Sequence, residues 1–151
     1  GFNDTVAFDS DGGLVVCTAP LADYKIQQII RMDVQNNVLY RKTLSASKTV
    51  VDISGAQPSP DGSVTLYGSA MANSRGLFTV FQLNLDAQGN VAALDVRDFT
   101  TRATYLYAVR LDALGNAYAV AQDYKHPIAV VPFGALPVCD NPGLTLTNDG
   151  I

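Results

Sequence analysis

Leu111-Asp112-Ala113-Leu114-Gly115-Asn116-Ala117-Tyr118-Ala119-Val120-Ala121 reads as strand, tight polar turn, strand. An apolar run leads into Asp, a Gly-Asn pair allows the reversal, and small and aromatic residues then alternate. The phrase recurs as Phe8-Asp9-Ser10-Asp11-Gly12-Gly13-Leu14-Val15-Val16 and as Pro58-Ser59-Pro60-Asp61-Gly62-Ser63-Val64-Thr65-Leu66. Gly takes positive φ without steric penalty and Asp hydrogen-bonds nearby backbone, so the pairing marks a turn by mechanism. Three copies of one hairpin indicate an all-β repeat protein.

Between these copies lies a second hairpin type. Residues 25–32 lead through Asp33-Val34-Gln35-Asn36-Asn37 into residues 38–44, and residues 77–85 lead through Asp86-Ala87-Gln88-Gly89-Asn90 into residues 91–99. Ile26, Ile30 and Met32 share one face of their strand and Lys25, Gln27 and Arg31 the other, the period expected of a half-buried strand. Phe81, Leu83 and Leu85 likewise oppose Gln82 and Asn84, and Tyr105, Tyr107, Val109 and Leu111 oppose Leu106, Ala108 and Arg110. Gly12, Gly62 and Gly115 recur at intervals of 50 and 53 residues, and Asp33 and Asp86 at 53. The next second-type turn falls near Asp140-Asn141-Pro142-Gly143, ahead of Leu144-Thr145-Leu146, although Pro132 and Pro137 interrupt the strand before it. The spacing predicts three four-stranded antiparallel units over residues 1–50, 51–102 and 103–151. Units of this length stack because none buries its faces alone. The expected inter-unit core is Ile30, Leu83, Leu85, Val109 and their neighbours.

Composition narrows the function classes. At 151 residues the chain is about one domain long, and 48% hydrophobic with 16% charged residues is too apolar for disorder. Ten Lys and Arg against fourteen Asp and Glu give a net charge of −4 without basic blocks, which argues against nucleic acid. No apolar run approaches the roughly 18 residues of a membrane helix, so no membrane insertion is expected. Gly1 opens the chain, as in a processed or excised segment or a remnant of cloning.

The turns Asp112-Ala113-Leu114-Gly115-Asn116 and Asp86-Ala87-Gln88-Gly89-Asn90, and the phrase Ser10-Asp11-Gly12-Gly13-Leu14-Val15, resemble the bacterial β-propeller repeats found in large secreted surface proteins of Bacteroidota. Asn36 departs from that pattern, where Gly is usual, as does the proline-bearing third unit. The resemblance implies propeller blades in an exported or cell-surface protein that works as a scaffold or adhesion segment. Its partners would be proteins, surface glycans, other copies or the rest of its own chain. The resemblance carries no catalytic residues. Propellers close with about 4–8 blades, so three units form part of a ring. A closed threefold fold, a β-trefoil or β-prism with a sugar-binding role, fits the length as well. The absence of Trp removes the Gln-x-Trp signature of ricin-type trefoils. A fragment of a propeller enzyme is the third reading.

The sequence offers little for catalysis. His126, the only histidine, precedes Pro127 in an interstrand segment, and no phosphate-binding glycine loop is present. Asp9, Asp11 and Asp86 put carboxylates on short turns, as calcium loops do, but without the further ligands such loops need; turn capping is the simpler role. No metal or cofactor is expected. Tyr105, Tyr107, Tyr118 and Tyr124 could stack on a sugar or pack into the sheets. Cys17 and Cys139 both align with inward positions, as two buried thiols or as one disulfide in an oxidising compartment.

Overall fold

In a computed structural model of the chain, five short turns fix how the strands pair. Each begins at the first residue of the turns 9–13, 33–37, 59–63, 86–90 and 112–116. The amide of that residue donates to the carbonyl of the fifth, and the amide of the fourth donates back to its carbonyl. The fourth residue takes a left-handed φ in every case: 85° at Gly12, 67° at Asn36, 89° at Gly62, 83° at Gly89 and 84° at Gly115. These are three-residue hairpin loops, a type I turn closed by a left-handed residue. Asn36 adopts the same conformation as the glycines because Asn tolerates this region better than other side chains. In four turns an Asp carboxylate at the first position accepts the amides of the third and fifth residues. At residues 59–63 Ser59 stands there, and Asp61 instead accepts the amide and hydroxyl of Ser63.

The structure describes residues 4–21, 23, 25–47, 49–72, 77–99, 105–122, 125–141 and 143–149. Its strands are β1 (Thr5–Phe8), β2 (Leu14–Thr18), β3 (Gln27–Met32), β4 (Val38–Ser45), β5 (Thr49–Pro58) and β6 (Val64–Ala72). They continue as β7 (Leu77–Leu85), β8 (Val91–Asp98), β9 (Tyr105–Leu111), β10 (Ala117–Gln122), β11 (Ala129–Pro132) and β12 (Thr145–Asn148), with a 3-10 turn at Phe133–Ala135. They form three antiparallel sheets: β1-β2-β3-β4-β12, β5-β6-β7-β8 and β9-β10-β11.

The expectation of four strands per unit is therefore corrected. β12 leaves the third unit and pairs with β4, Leu146 opposite Leu44, so the first sheet has five strands and the third has three. The reason lies in the prolines. Pro132 ends β11, and the chain turns away from the third sheet at Phe133–Ala135. It then runs along the outer edge of the second sheet, where Asp98 N donates to Pro137 O (2.9 Å) and Cys139 N to Val96 O (3.1 Å). Where that turn is expected, Gly143 takes a φ of 86° and Leu144 N donates to Asn141 Oδ1 (2.7 Å), but the segment delivers the strap to the first sheet. A Cβ on Gly143 would lie 2.8 Å from Ser47 Cβ, so the strap passes close against the first unit.

The second sheet is the middle layer. Its Val64, Leu66, Phe81, Leu83 and Leu85 pack on Val15, Cys17, Ile29, Tyr40 and Leu44 of the first sheet. Its opposite face presents Tyr67, Val80 and Phe99 to Val109, Ala119, Ala121, Phe133 and Leu136. Leu83, Leu85 and Val109 are thus core, as expected from the sequence. Ile30 is not. In β3 the face that carries Gln27 (2% exposed), Ile29 and Arg31 (5%) is buried, while Ile30 and Met32 point to the other side and stay half-exposed. Asp9 makes this burial tolerable, its Oδ2 lying 2.6 Å from Arg31 Nη2.

Candidate functional site

A cleft of about 450 Å³ lies between the second and third sheets. Alternation builds its first wall. Phe81, Leu83 and Val96 point toward the first sheet, so Gln82 of β7 and Asp95 and Arg97 of β8 point the other way, beside Tyr67 of β6. The second wall is the turn Gly115-Asn116, Ala117 and Tyr118 of β10, and Pro132, Phe133 and Gly134 at the end of β11.

Arg97 is spoken for. Its Nε and Nη2 bind Asp95 Oδ1 and Oδ2 at 2.7 and 3.0 Å, while Nη1 donates to Leu136 O at 2.8 Å and Gly134 O at 3.3 Å. Its guanidinium carbon lies 5.3 Å from the Phe133 ring centroid, over the ring. The hydrogen bonds to Asp95 raise the Arg97 pKa, and the guanidinium ties the strap to the second sheet. Phe133 also meets the Tyr67 ring edge-on, with centroids 6.5 Å apart. Burial raises the Tyr67 pKa further above neutral, and its protonated hydroxyl is a hydrogen-bond donor. Tyr118 OH reaches Asp112 Oδ2 at 3.4 Å, and Asn116 Nδ2 reaches the same oxygen at 3.0 Å. Amide, hydroxyl and aromatic groups therefore line the cleft around one saturated ion pair. Among the described residues, the lining contains no Ser, Cys or His nucleophile. Such walls have the chemistry to accommodate a neutral polar ligand.

Of the residues singled out from sequence, Tyr118 lies in this cleft. The side chains of Tyr105 and Tyr107, and the whole of Tyr124, fall outside the described residues. His126 is exposed ahead of β11. Cys17 is buried in the first sheet and Cys139 half-buried on the strap. Both are free thiols in this structure. Cys139 nevertheless packs against the cluster that contains Cys17. Burial pushes the Cys17 thiol up to about 12. Cys139 is raised by burial and then by the carboxylates of Asp98, Asp140 and Asp95, so neither thiol is poised as a nucleophile. Among the described residues, no group of three or more His, Cys, Asp or Glu side chains is placed to hold a metal ion. Asp9, Asp33, Asp86 and Asp112 instead spend an oxygen on turn amides.

Sequence reading missed Tyr67, Gln82, Asp95, Arg97 and Phe133. One signal was available: Gln82 already stood opposite Phe81 and Leu83, a polar position on a strand buried on both faces. No protein-family profile, curated protein or solved structure matches the chain.

Proposed function

We propose that the chain is a non-enzymatic scaffold and interaction segment built of propeller-type blades, part of a larger exported or cell-surface assembly. One observation carries the blade reading: the opening strands of the three sheets lie side by side. Thr5 Oγ1 of β1 donates to Ile53 O of β5 at 3.0 Å, and Ser54 Oγ of β5 bonds both Val109 O and Val109 N of β9 at 3.0 Å. First strands gathered in sequence, with the sheets stacked face to face behind them, fit radial blades better than a closed threefold barrel. The surface role is tested by labelling intact source cells with an antibody raised against this chain. Labelling of intact cells supports it; labelling only after lysis sinks it.

A second reading, a carbohydrate-binding site, is favoured by the cleft itself, where Tyr67, Tyr118 and Phe133 sit with Gln82 and Asn116. Aromatic rings and planar amides suit the apolar faces and hydroxyls of sugars. A glycan array separates the two. A saccharide hit abolished by Tyr118→Ala supports the second reading, and an array without hits removes it.

A further inference from the structure

The repeat positions that the second sheet buries against the first are left bare on the first sheet. Leu14 and Val16 correspond to Val64 and Leu66, at the 50-residue interval, and Ile30 and Met32 to Leu83 and Leu85, at the 53-residue interval. The four in the second sheet are buried at 2% exposure or less. Their counterparts are half-exposed, and Val6 and Phe8 beside them are 53% and 70% exposed. Cross-strand pairing joins them into one surface, with Phe8 opposite Leu14, Leu14 opposite Met32, Val6 opposite Val16 and Val16 opposite Ile30. No described element covers it. A contiguous apolar face of this kind marks an interaction site.

The fold also indicates what belongs there. At each internal interface this face of one sheet packs on the opposite face of the sheet before it. On the first sheet that opposite face carries Cys17, and on the second its repeat counterpart Tyr67. On the third sheet the counterpart is Val120, which pairs with Val130 across the strands. Val130 is 58% exposed, and this end of the stack is uncovered as well. The chain does not go forward from the third sheet to cover it, because the strap turns back to the second and first sheets. The molecule thus carries the two complementary halves of its own internal interface at opposite ends.

We infer that two copies of this chain associate head to tail, the third sheet of each on the first sheet of the other, closing a ring of six sheets. The inference rests on the blade reading above. Three sheets from each copy give a number inside the roughly 4–8 at which such rings close. A two-fold axis relates the two identical contacts, so each copy uses both ends and no open end remains for filament growth.

Sedimentation equilibrium or native mass spectrometry at about 100 µM, where a micromolar contact is well populated, gives the mass. The expected species is twice the 16.0 kDa of the chain. Phe8→Glu and Val130→Glu change exposed residues at opposite ends, and far-UV circular dichroism checks that each variant folds. Each should weaken association at least roughly tenfold, as a charge placed in an apolar contact does. A monomeric wild-type chain overturns the inference, and so does a polymer larger than the dimer. A dimer broken by Phe8→Glu but indifferent to Val130→Glu means that first sheets pair with each other, which also overturns it. The blade reading is judged separately, on the same sample, by amide protection of β1, β5 and β9. A monomer with those strands protected sinks the closed ring and leaves the blades standing.

Discussion

The two interfaces of the middle sheet are filled differently. Toward the first sheet it buries large side chains, Leu66, Phe81, Leu83 and Leu85, against Ile29, Tyr40 and Leu44. The turn at 86–90 docks there too: a Cβ on Gly89 would lie 2.8 Å from Tyr40 Cγ. Toward the third sheet it meets small residues, Ala119 and Ala121, and the Phe133 ring, which packs edge-on against the middle sheet's own Tyr67 at the border of the cleft. Large residues interdigitate and exclude water, and small ones let the sheets come together at one end while they part at the other. The close interface supplies rigidity, and the wedge-shaped one supplies the cleft.

Core truncation breaks this contrast most directly. Phe81→Ala should cost about 4 kcal/mol, because the close interface cannot collapse around the cavity. Phe133→Ala, whose ring borders the cleft, should cost about half as much, since solvent can fill the space. Urea unfolding of the two variants reads the difference; equal losses would mean that the interfaces are alike.

The next effect belongs to the first sheet alone. Asp9→Asn removes the charge that faces Arg31 at 2.6 Å and should cost roughly 3 kcal/mol, because it leaves a buried guanidinium without its counter-ion. The corresponding turn residue of the second unit is Ser59 and makes no such pair. Ser59→Ala should therefore be nearly silent in the same urea titration.

Gly68→Ala sharpens the account of how Phe81 fits. A Cβ at that position would meet Phe81 Cζ at 2.8 Å and Asp52 O closer still. About 2 kcal/mol of overpacking is expected. Phe81→Leu in the same chain should recover part of it, a coupling that a double-mutant cycle measures.

The smallest effect is acid sensitivity of the turns. Hydrogen bonds hold the carboxyls of Asp33, Asp86 and Asp112 below the ordinary carboxylate value, chiefly through Asn37, Asn90 and Asn116 respectively. A folded pKa below the unfolded one of about 3.9 stabilises the fold above that pH, and the contribution fades as pH falls through the folded value. Solvent screening keeps it small at these exposed turns. Asp112→Asn should lower the unfolding midpoint slightly at neutral pH and flatten its dependence on pH below about 4. An unchanged slope in the variant would contradict the turn's role.

Much of the fold was legible because turns are local. Asp at the first or third position of the turn, with Gly or Asn at the fourth, marked five hairpins, and period-two alternation assigned the faces of β7 and β9 around Leu83 and Val109. Partner choice between distant strands was not legible. Nothing in Leu144-Thr145-Leu146 says that it pairs with β4 rather than β11, since both edges offer the same backbone groups. The burial of Gln27 and Arg31 was equally hidden, because alternation divides a strand into two faces without saying which one another sheet will cover. An apolar face left bare and a polar face buried make sense only once the stack exists. The cleft is of the same kind: Tyr67, Arg97 and Phe133 come from three separate segments, and only packing brings them together.

The most direct test of the serial stack is native-state hydrogen exchange read strand by strand. The close interface predicts slow exchange for β2 to β7 and earlier opening of β9 to β11, which have three strands and a wedge-shaped contact. The amides of β12 should exchange with β4, although only 12 residues separate β12 from β11 in the sequence. Exchange of β12 together with β11, or uniform protection across all three sheets, would contradict both the strap and the unequal interfaces.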